Sequence, residues 1–299
     1  MNQRASQPNS FFRLPGQPSD IDQKGLFDLL KRSDHLRDSL YKPDTLEPPD
    51  PQFSTKIANK TFERVSFTKT TIRRIRFMNC KFIRCLLVGA QIEDCEFHRC
   101  EFLNTNTHKI KIVRTYIDPG SFTKCLDPKK HQNIGVHLYQ VLMNNSKERD
   151  QPEFEADARF EFFRWKRYQD LYEVREKYKN DKRIDFAKIR QIVKRWLWEK
   201  LFGSGIRWPY LARTALASVT IATFTNYTFR DEFGLNGEPH NITTIIDAFY
   251  FSMVTLTTLG FGDIAPTTQF GRAIIAMEGA FGLVLFALFA SMMFRKIAP

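Results

Sequence analysis

The sequence predicts a chain in two unlike parts: an α-helical membrane segment at the C-terminal end and, ahead of it, a repeat domain whose period belongs to neither a helix nor a flat strand. Three observations carry this. Large apolar residues recur at every fifth position from 57 to 125. The last third of the chain is apolar, whereas the first two-thirds is polar and basic. Two apolar stretches, Tyr210 to Phe229 and Ala273 to Phe294, bracket a shorter apolar segment that ends in a glycine-rich run. A chain of 299 residues has room for two domains, and its net charge of +12 suits an anionic partner such as the cytoplasmic membrane leaflet or a nucleic acid.

Residues 1–52 carry Pro8, Pro15, Pro18, Pro43, Pro48, Pro49 and Pro51. A segment so broken by proline is not expected to bury a core of its own. It reads as a disordered or partly helical tail with one short helix at about Asp20 to Tyr41, whose Leu26, Leu29 and Leu30 could dock on a partner. The start, MNQRASQPNS, lacks the basic-then-apolar order of a secretory signal, so the first two hundred residues are expected in the cytoplasm.

The period-five register runs Ile57, Phe62, Phe67, Ile72, Phe77, Phe82, Leu87, Ile92, Phe97, Phe102, Thr107, Ile112, Ile117, Phe122; thirteen of these fourteen positions are large and apolar. Two residues earlier stands a column of small or β-branched residues, among them Val65, Thr70, Ile75, Ala90, Thr105 and Ile110. All five cysteines, Cys80, Cys85, Cys95, Cys100 and Cys125, fall in it. The segment resembles the pentapeptide-repeat family, whose fold is a right-handed quadrilateral β-helix with both columns facing inward. That resemblance implies a β-helix over residues 53–127 with four pentapeptides per coil, so that residues one coil apart stack at ~4.8 Å, and it leaves residues 128–185 as a helical linker or cap. In such a core a thiol acts as a small hydrophobe; a redox pair or soft-metal site at Cys80 and Cys100, one coil apart, is the alternative. The outward positions, including Arg73, Arg74, Arg76, Lys81, Arg84 and Lys111, are basic, unlike the acidic DNA-mimicking surfaces known elsewhere in the family.

Residues 152–182 alternate charge with Phe154, Phe160, Phe162, Phe163, Trp165, Tyr168, Leu171, Tyr172 and Tyr178. A long helix packed against the repeat or a neighbouring subunit is expected; stacking of nucleic-acid bases is the rival reading. Residues 186–207 form the joint, with Phe186, Ile189, Val193, Trp196, Leu197 and Leu201 near one face and Lys188, Lys194, Arg195 and Lys200 on the others. This is the composition of a helix in the membrane interface, where anionic headgroups would meet it. Basic residues before the first span (Lys194, Arg195, Lys200, Arg207, Arg213) and after the second (Arg295, Lys296) place both termini inside. The outer segment from Asp231 to Asp247 holds Asp231, Glu232, Glu238 and Asp247 and neither Lys nor Arg, an electrostatic funnel for cations.

Between the spans, Ile245 to Thr258 has the length of a re-entrant helix whose C-terminal dipole would point at a cation. Its continuation TLGFG, Thr258 to Gly262, can turn successive carbonyls the same way because Gly260 and Gly262 tolerate positive φ. Residues 248–272, AFYFSMVTLTTLGFGDIAPTTQFGR, resemble the pore loop of the two-transmembrane potassium-channel family without a gap; TLGFG stands in the place of TVGYG. The resemblance covers residues 208–299 as the pore domain. It implies two transmembrane helices plus a re-entrant pore helix, assembled as a homotetramer because a carbonyl cage needs four filter loops. It also implies dehydrated potassium at Thr258, Leu259, Gly260 and Phe261, with Gly262 completing the filter and Tyr250, Phe251, Thr257 and Asp263 supporting it. Phe261 stands where the family often has Tyr, and Tyr250 and Phe251 where it often has two Trp, so the aromatic cuff is altered.

Farther on, Gly282 falls where the family's inner helix bends, and Leu283, Phe286, Ala290 and Phe294 share one helical stripe, so an apolar gate is placed there. Glu278, ionisable within an apolar span, is expected to face protein or water, either as a structural hydrogen-bonding group or as a proton sensor. The whole implies a homotetrameric potassium-selective channel in the cell membrane, of bacterial inner-membrane type, with a cytoplasmic repeat domain that gates or anchors the pore. Potassium is the permeant ion and no cofactor or nucleic acid is expected. A non-selective cation pore and a membrane-tethered scaffold that binds a nucleic acid or a protein are the alternatives. There is no phosphate-binding loop, metal-ligand spacing or nucleophile motif, which argues against an enzyme. No arginine-rich voltage-sensing helix is seen, and with the sequence ending at Pro299 a C-terminal nucleotide- or calcium-binding ring is not expected.

Overall fold

The structure is a computed structural model that describes residues 10–48, 54–182, 185–236 and 241–297; Pro8, Pro49, Pro51 and Glu238 lie outside them. The chain divides into two compact units, Met1–Ile192 and Val193–Pro299.

In the first unit all described strands pair in parallel. One sheet runs β1 (Ser19–Ile21), β2 (His35–Tyr41), β5 (Thr61–Ser66), β8 (Lys81–Ile83), β11 (Glu101–Leu103). A second holds β4 (Thr55–Ala58), β7 (Ile75–Met78), β10 (Glu96–His98) and β13 (Tyr116–Ile117), and a third β3 (Thr45–Leu46), β6 (Thr71–Arg73), β9 (Gln91–Glu93) and β12 (Lys111–Val113). The single bridges Ser66 to Leu86 to Asn106 mark a fourth face. Thr61 pairs with Lys81 and Lys81 with Glu101, and the same twenty-residue step recurs at Thr71, Gln91 and Lys111. The chain therefore winds as a coil of four pentapeptides per turn, the path of a β-helix.

Both sequence columns point inward: the large register is buried throughout from Ile57 to Phe122, and the small column is buried from Val65 to Thr115 and again at Cys125, with Gly120 exposed. The aromatic rings stack at coil spacing: Phe62 on Phe82 at 4.9 Å, Phe82 on Phe102 at 4.8 Å, Phe102 on Phe122 at 4.2 Å. The small column sits at the corners, where the thiol or hydroxyl donates to a carbonyl one coil away; Cys85 Sγ reaches Phe62 O at 3.3 Å and Thr105 Oγ1 reaches Phe82 O at 2.9 Å. Each corner is turned by a residue of positive φ, among them Arg64, Lys69, Arg74, Asn79, Arg84, Asp94 and Arg99. Left-handed backbone costs a side-chain-bearing residue about 1 kcal/mol, and packing of the two flanking inward residues offsets it. Burial pushes the thiols of Cys85, Cys95 and Cys125 up to about 12. At pH 8 they are thus protonated and enclosed, and the folded protein is expected to leave them unlabelled by a maleimide that modifies them in denaturant; prompt labelling of the native state would refute the packing role.

The proline-rich N-terminal segment departs from the expected tail. Residues 19–46 supply β1, β2 and β3, and Leu36 pairs with Phe62 and Thr45 with Thr71, so this segment is the first coil, six residues longer than the others. Pro15, Pro18, Pro43 and Pro48 sit outside the strands, and Leu26, Leu36, Tyr41 and Leu46 bury on the core. The helix in it is short, α1 (Gln23–Arg32), capped by Asp22, which accepts from Gly25 N at 2.8 Å. The basic outward face is also less basic than its composition: Arg73 pairs with Glu93 at 2.6 Å, Arg76 with Glu96 at 2.7 Å and Arg114 with Asp94 at 2.7 Å, each across one coil.

Helix α2 (Gln132–Glu148) closes the last coil. Its Asn145 accepts from Thr115 N at 2.9 Å and donates to Thr115 O at 2.7 Å, taking the place of a further strand. Helix α3 (Pro152–Asp181) crosses it where Trp165 lies on Gly135; a Cβ there would stand 2.0 Å from the ring. Phe160 and Trp165 are buried, which is the packing expected of this segment.

The second unit begins within α4 (Phe186–Phe202), whose Phe186, Ile189, Val193, Trp196, Leu197 and Leu201 are exposed. It continues with α5 (Trp208–Thr228), α6 (Arg230–Phe233), α7 (Ile245–Leu256) and α8 (Gln269–Ile297). Among the described residues one helix is long and apolar enough to cross a membrane, over Gln269–Phe294. Helix α5 has the length, but its Thr and Ser residues keep it less apolar; Ser218 and Thr220 bond back to carbonyls four residues earlier. Leu211 of α5, Leu285 and Met292 of α8 and Phe202 of α4 form one cluster.

Candidate functional site

The site is the loop that leaves α7. Thr244 caps that helix with Asp247 in a reciprocal capping box: Thr244 Oγ1 accepts from Asp247 N, and Asp247 Oδ2 accepts from Thr244 N at 2.7 Å and from Thr243 N and Oγ1. The Asp247 carboxylate, counted by sequence in the outer acidic funnel, is therefore engaged by the helix end.

At the other end of α7, Thr258 N donates to Thr255 O and Leu259 N to Val254 O, both at 3.0 Å, with Thr258 at φ 59°. This is a Schellman cap with threonine where glycine is usual. A β-branched residue held left-handed is an outlier costing about 1–3 kcal/mol. Gly260 and Gly262 follow at φ 52° and 77°, while Leu259 and Phe261 between them are not in the positive region. In a uniformly extended chain successive carbonyls point to opposite sides. Reversing the hand at every second residue turns them to one side, which is the property a carbonyl-lined filter needs. Leu259 and Phe261 are 64% and 68% exposed in the single subunit.

The predicted supports divide. Tyr250 Oη donates to Asp263 Oδ2 at 2.8 Å, clamping the residue after Gly262 to α7, and Phe251 is buried among Phe233, Leu235, Ile242, Ala248 and Ile264. Thr257 instead donates to Met253 O at 2.6 Å, which closes the helix end. Behind α7 lies a junction that sequence reasoning saw only in part. Asn226 of α5, fully buried, donates through Nδ2 to Ser252 Oγ of α7 at 3.0 Å and to Glu278 Oε2 of α8 at 3.1 Å. Asn226 and Ser252 carried no periodic or motif signal; their role needs three helices to meet.

Gly282 differs from the expected bend. Helix α8 is continuous through it, and a Cβ there would lie 1.9 Å from Leu256 O, so glycine is required where α8 crosses the end of α7. On the stripe, Leu283, Phe286 and Phe294 are exposed and Ala290 half-buried, on the side of α8 opposite Leu285 and Met292. Phe294 is 72% exposed in the single subunit. Beyond the alternating loop, Thr267 and Thr268 donate to Gly234 O and Glu232 O at 3.1 and 2.9 Å, which ties α6 to the loop entering α8.

Residues 214–298 match the ion channel family. The chain is 35% identical over 81 residues to two-pore potassium channel 4 of Arabidopsis thaliana, covering 26% of this chain and 27% of that protein. It is 37% identical over 60 residues to a voltage-gated potassium channel of Aeropyrum pernix, 19% and 20% of the two chains, and 35% identical over 71 residues to the potassium voltage-gated channel protein Shal of Drosophila melanogaster, 24% and 12%. The chain thus spans about a quarter or less of the length of these relatives. The segment that carries the alternating loop, its Tyr250 to Asp263 clamp and the α5, α7 and α8 junction is the part that matches the ion channel family and is similar to these potassium channels.

Proposed function

We propose that this chain is the subunit of a homotetrameric potassium-selective channel. Helices α5 and α8 span the cell membrane, α7 is the re-entrant pore helix and both termini face the cytoplasm, in a bacterial inner membrane. The observation that supports it best is the alternation of backbone hand from Thr258 to Gly262. Four copies of that loop would present rings of carbonyls from Thr258, Leu259, Gly260 and Phe261, with the Thr258 hydroxyl below, to a dehydrated ion. The exposure of Leu259 and Phe261 fits a loop whose surroundings come from neighbouring subunits. The exposed apolar side of α4 would lie at the lipid headgroups. Purified protein in liposomes should carry a potassium flux, and reversal potentials in mixed sodium and potassium should favour potassium; equal permeation would leave a non-selective cation pore, and no current would leave a membrane-tethered scaffold.

The gate is placed on the stripe of α8, with Phe294 closing an apolar ring toward the cytoplasm. Phe294→Ser is expected to raise resting current at equal protein density; an unchanged current moves the constriction to Phe286 or Ala290. Glu278 is read as the structural partner of Asn226 rather than a proton sensor. Glu278→Gln, which keeps an acceptor, should leave the pH dependence of opening unaltered, whereas Glu278→Leu leaves the buried Asn226 amide with Ser252 as its one remaining acceptor and should lower stability by about 1–3 kcal/mol. A pH response lost in Glu278→Gln would restore the sensor role. The β-helix unit acts on opening through the covalent link of α4 and leaves selectivity to the filter.

A further inference from the structure

Two of the outward corners of the β-helix carry acid–arginine pairs across a coil, those of Asp38 with Arg64 and Asp94 with Arg114, whereas the corners of Lys69, Gly89 and Lys109 and of Asn59, Asn79 and Arg99 hold no acid. At the corner of Asp94 and Arg114 opposite charges alternate and pair, and Arg74 below them reaches Glu47 at 3.2 Å. The corner that begins with Asp38 and Arg64 starts the same way, with Arg64 Nε and Nη2 bonded to the two Asp38 oxygens at 2.5 and 2.7 Å. One coil on stands Arg84 and then Asn104, both at the same left-handed position, and no acid answers Arg84. Beside it are Arg13 and Lys130. None of these three cationic side chains has an ion pair or hydrogen bond among the described residues.

These cations and Asn104 line one cavity of about 450 Å³, floored by Leu14, Pro15 and Leu86. Its wall is a strap, residues 10–15, held in place because Asn106 Nδ2 donates to Phe11 O at 2.9 Å and the Phe11 ring stacks on His131 at 3.8 Å. Burial lowers the proton affinity of His131, so the ring does not add to the charge at neutral pH. Like charges gathered around a concave site repel one another unless an anion joins them, and two guanidinium groups match the bidentate geometry of phosphate. The apolar floor and a volume within the range of small-molecule sites favour an organic body on that anion.

We propose that this corner cavity binds a phosphorylated small molecule of nucleotide size, through Arg84, Arg13 and Lys130 with Asn104 at the rim. The assignment rests on the first unit alone and stands whether or not the second conducts potassium. The test is calorimetric titration of the purified full chain in detergent with ATP, inorganic pyrophosphate, adenosine and the lipid headgroup glycerophosphoglycerol. ATP and pyrophosphate should bind and adenosine should not. Arg84→Asn, which tolerates the left-handed backbone, combined with Lys130→Ala should weaken ATP at least about tenfold, with an unchanged melting curve before ligand is added. Lys111→Ala, on another face, should leave ATP affinity as it is. Failure of both ATP and pyrophosphate to bind at millimolar concentration, or equal binding by the double variant, overturns the proposal. Binding of the headgroup without ATP overturns its assignment to a soluble ligand.

Discussion

Alanine at Gly282 is expected to destabilise the pore segment by about 1–3 kcal/mol or more and to remove ion conduction. The added carbon would sit 1.9 Å from the carbonyl oxygen of Leu256 and within 2.8 Å of its Cα. Backbone cannot rotate away as a flexible side chain can, so α8 must shift off the end of α7. The next two residues, Thr257 and Thr258, are the cap from which the filter rises, and the shift is delivered there. Thermal unfolding of the purified variant alongside single-channel recording separates this from the bending role that the sequence suggested. A glycine needed only for bending predicts an unchanged melting temperature with fewer openings.

Phe82→Ala should cost the first unit about 3–5 kcal/mol. Phe82 lies between Phe62 and Phe102 in the ring stack and meets Phe77 edge-on at 5.6 Å, so truncation opens a cavity walled by aromatic rings on several sides. Rings held at coil spacing by the strands on each side cannot collapse into it. Circular dichroism melting of the full chain should show the β-helix unfolding first and at a clearly lower temperature; a loss under about 1 kcal/mol would mean that the coils close around the gap.

The repeat was legible because its two columns are one-dimensional: a period of five, read down the sequence, is the inward face read down the coils. The alternating loop after α7 was legible for a related reason, since it is written in consecutive residues, and Gly260 and Gly262 mark its reversals of hand. What stayed hidden depends on partners distant in sequence. The first coil was missed because its turn is longer than the rest and its strands carry no phenylalanine at the inward position, while the prolines of its connections dominate the composition. Thr258 disguised a left-handed cap behind a β-branched side chain. Asn226 and Ser252 looked like two of many polar residues in moderately apolar helices, and only the crossing of α5, α7 and α8 gives them a common partner in Glu278. The need for glycine at position 282 likewise belongs to a crossing, not to the helix that contains it.

The ion pairs between coils have a consequence for folding accuracy. An inward column of nearly uniform phenylalanine and isoleucine cannot tell one pentapeptide from the next, so a coil wound one repeat too long or too short would still bury a complete core. The charges can tell. In a coil lengthened by one pentapeptide, Arg73 would face His98 in place of Glu93, and Arg114 would look back at Gly89 in place of Asp94; in a shortened one, Arg114 would meet Arg99. Each exposed pair contributes little to stability, about 0–1 kcal/mol, yet the miswound alternatives lose these pairs or replace them with repulsion. The hydrophobic columns make the coil; the surface charges count its residues.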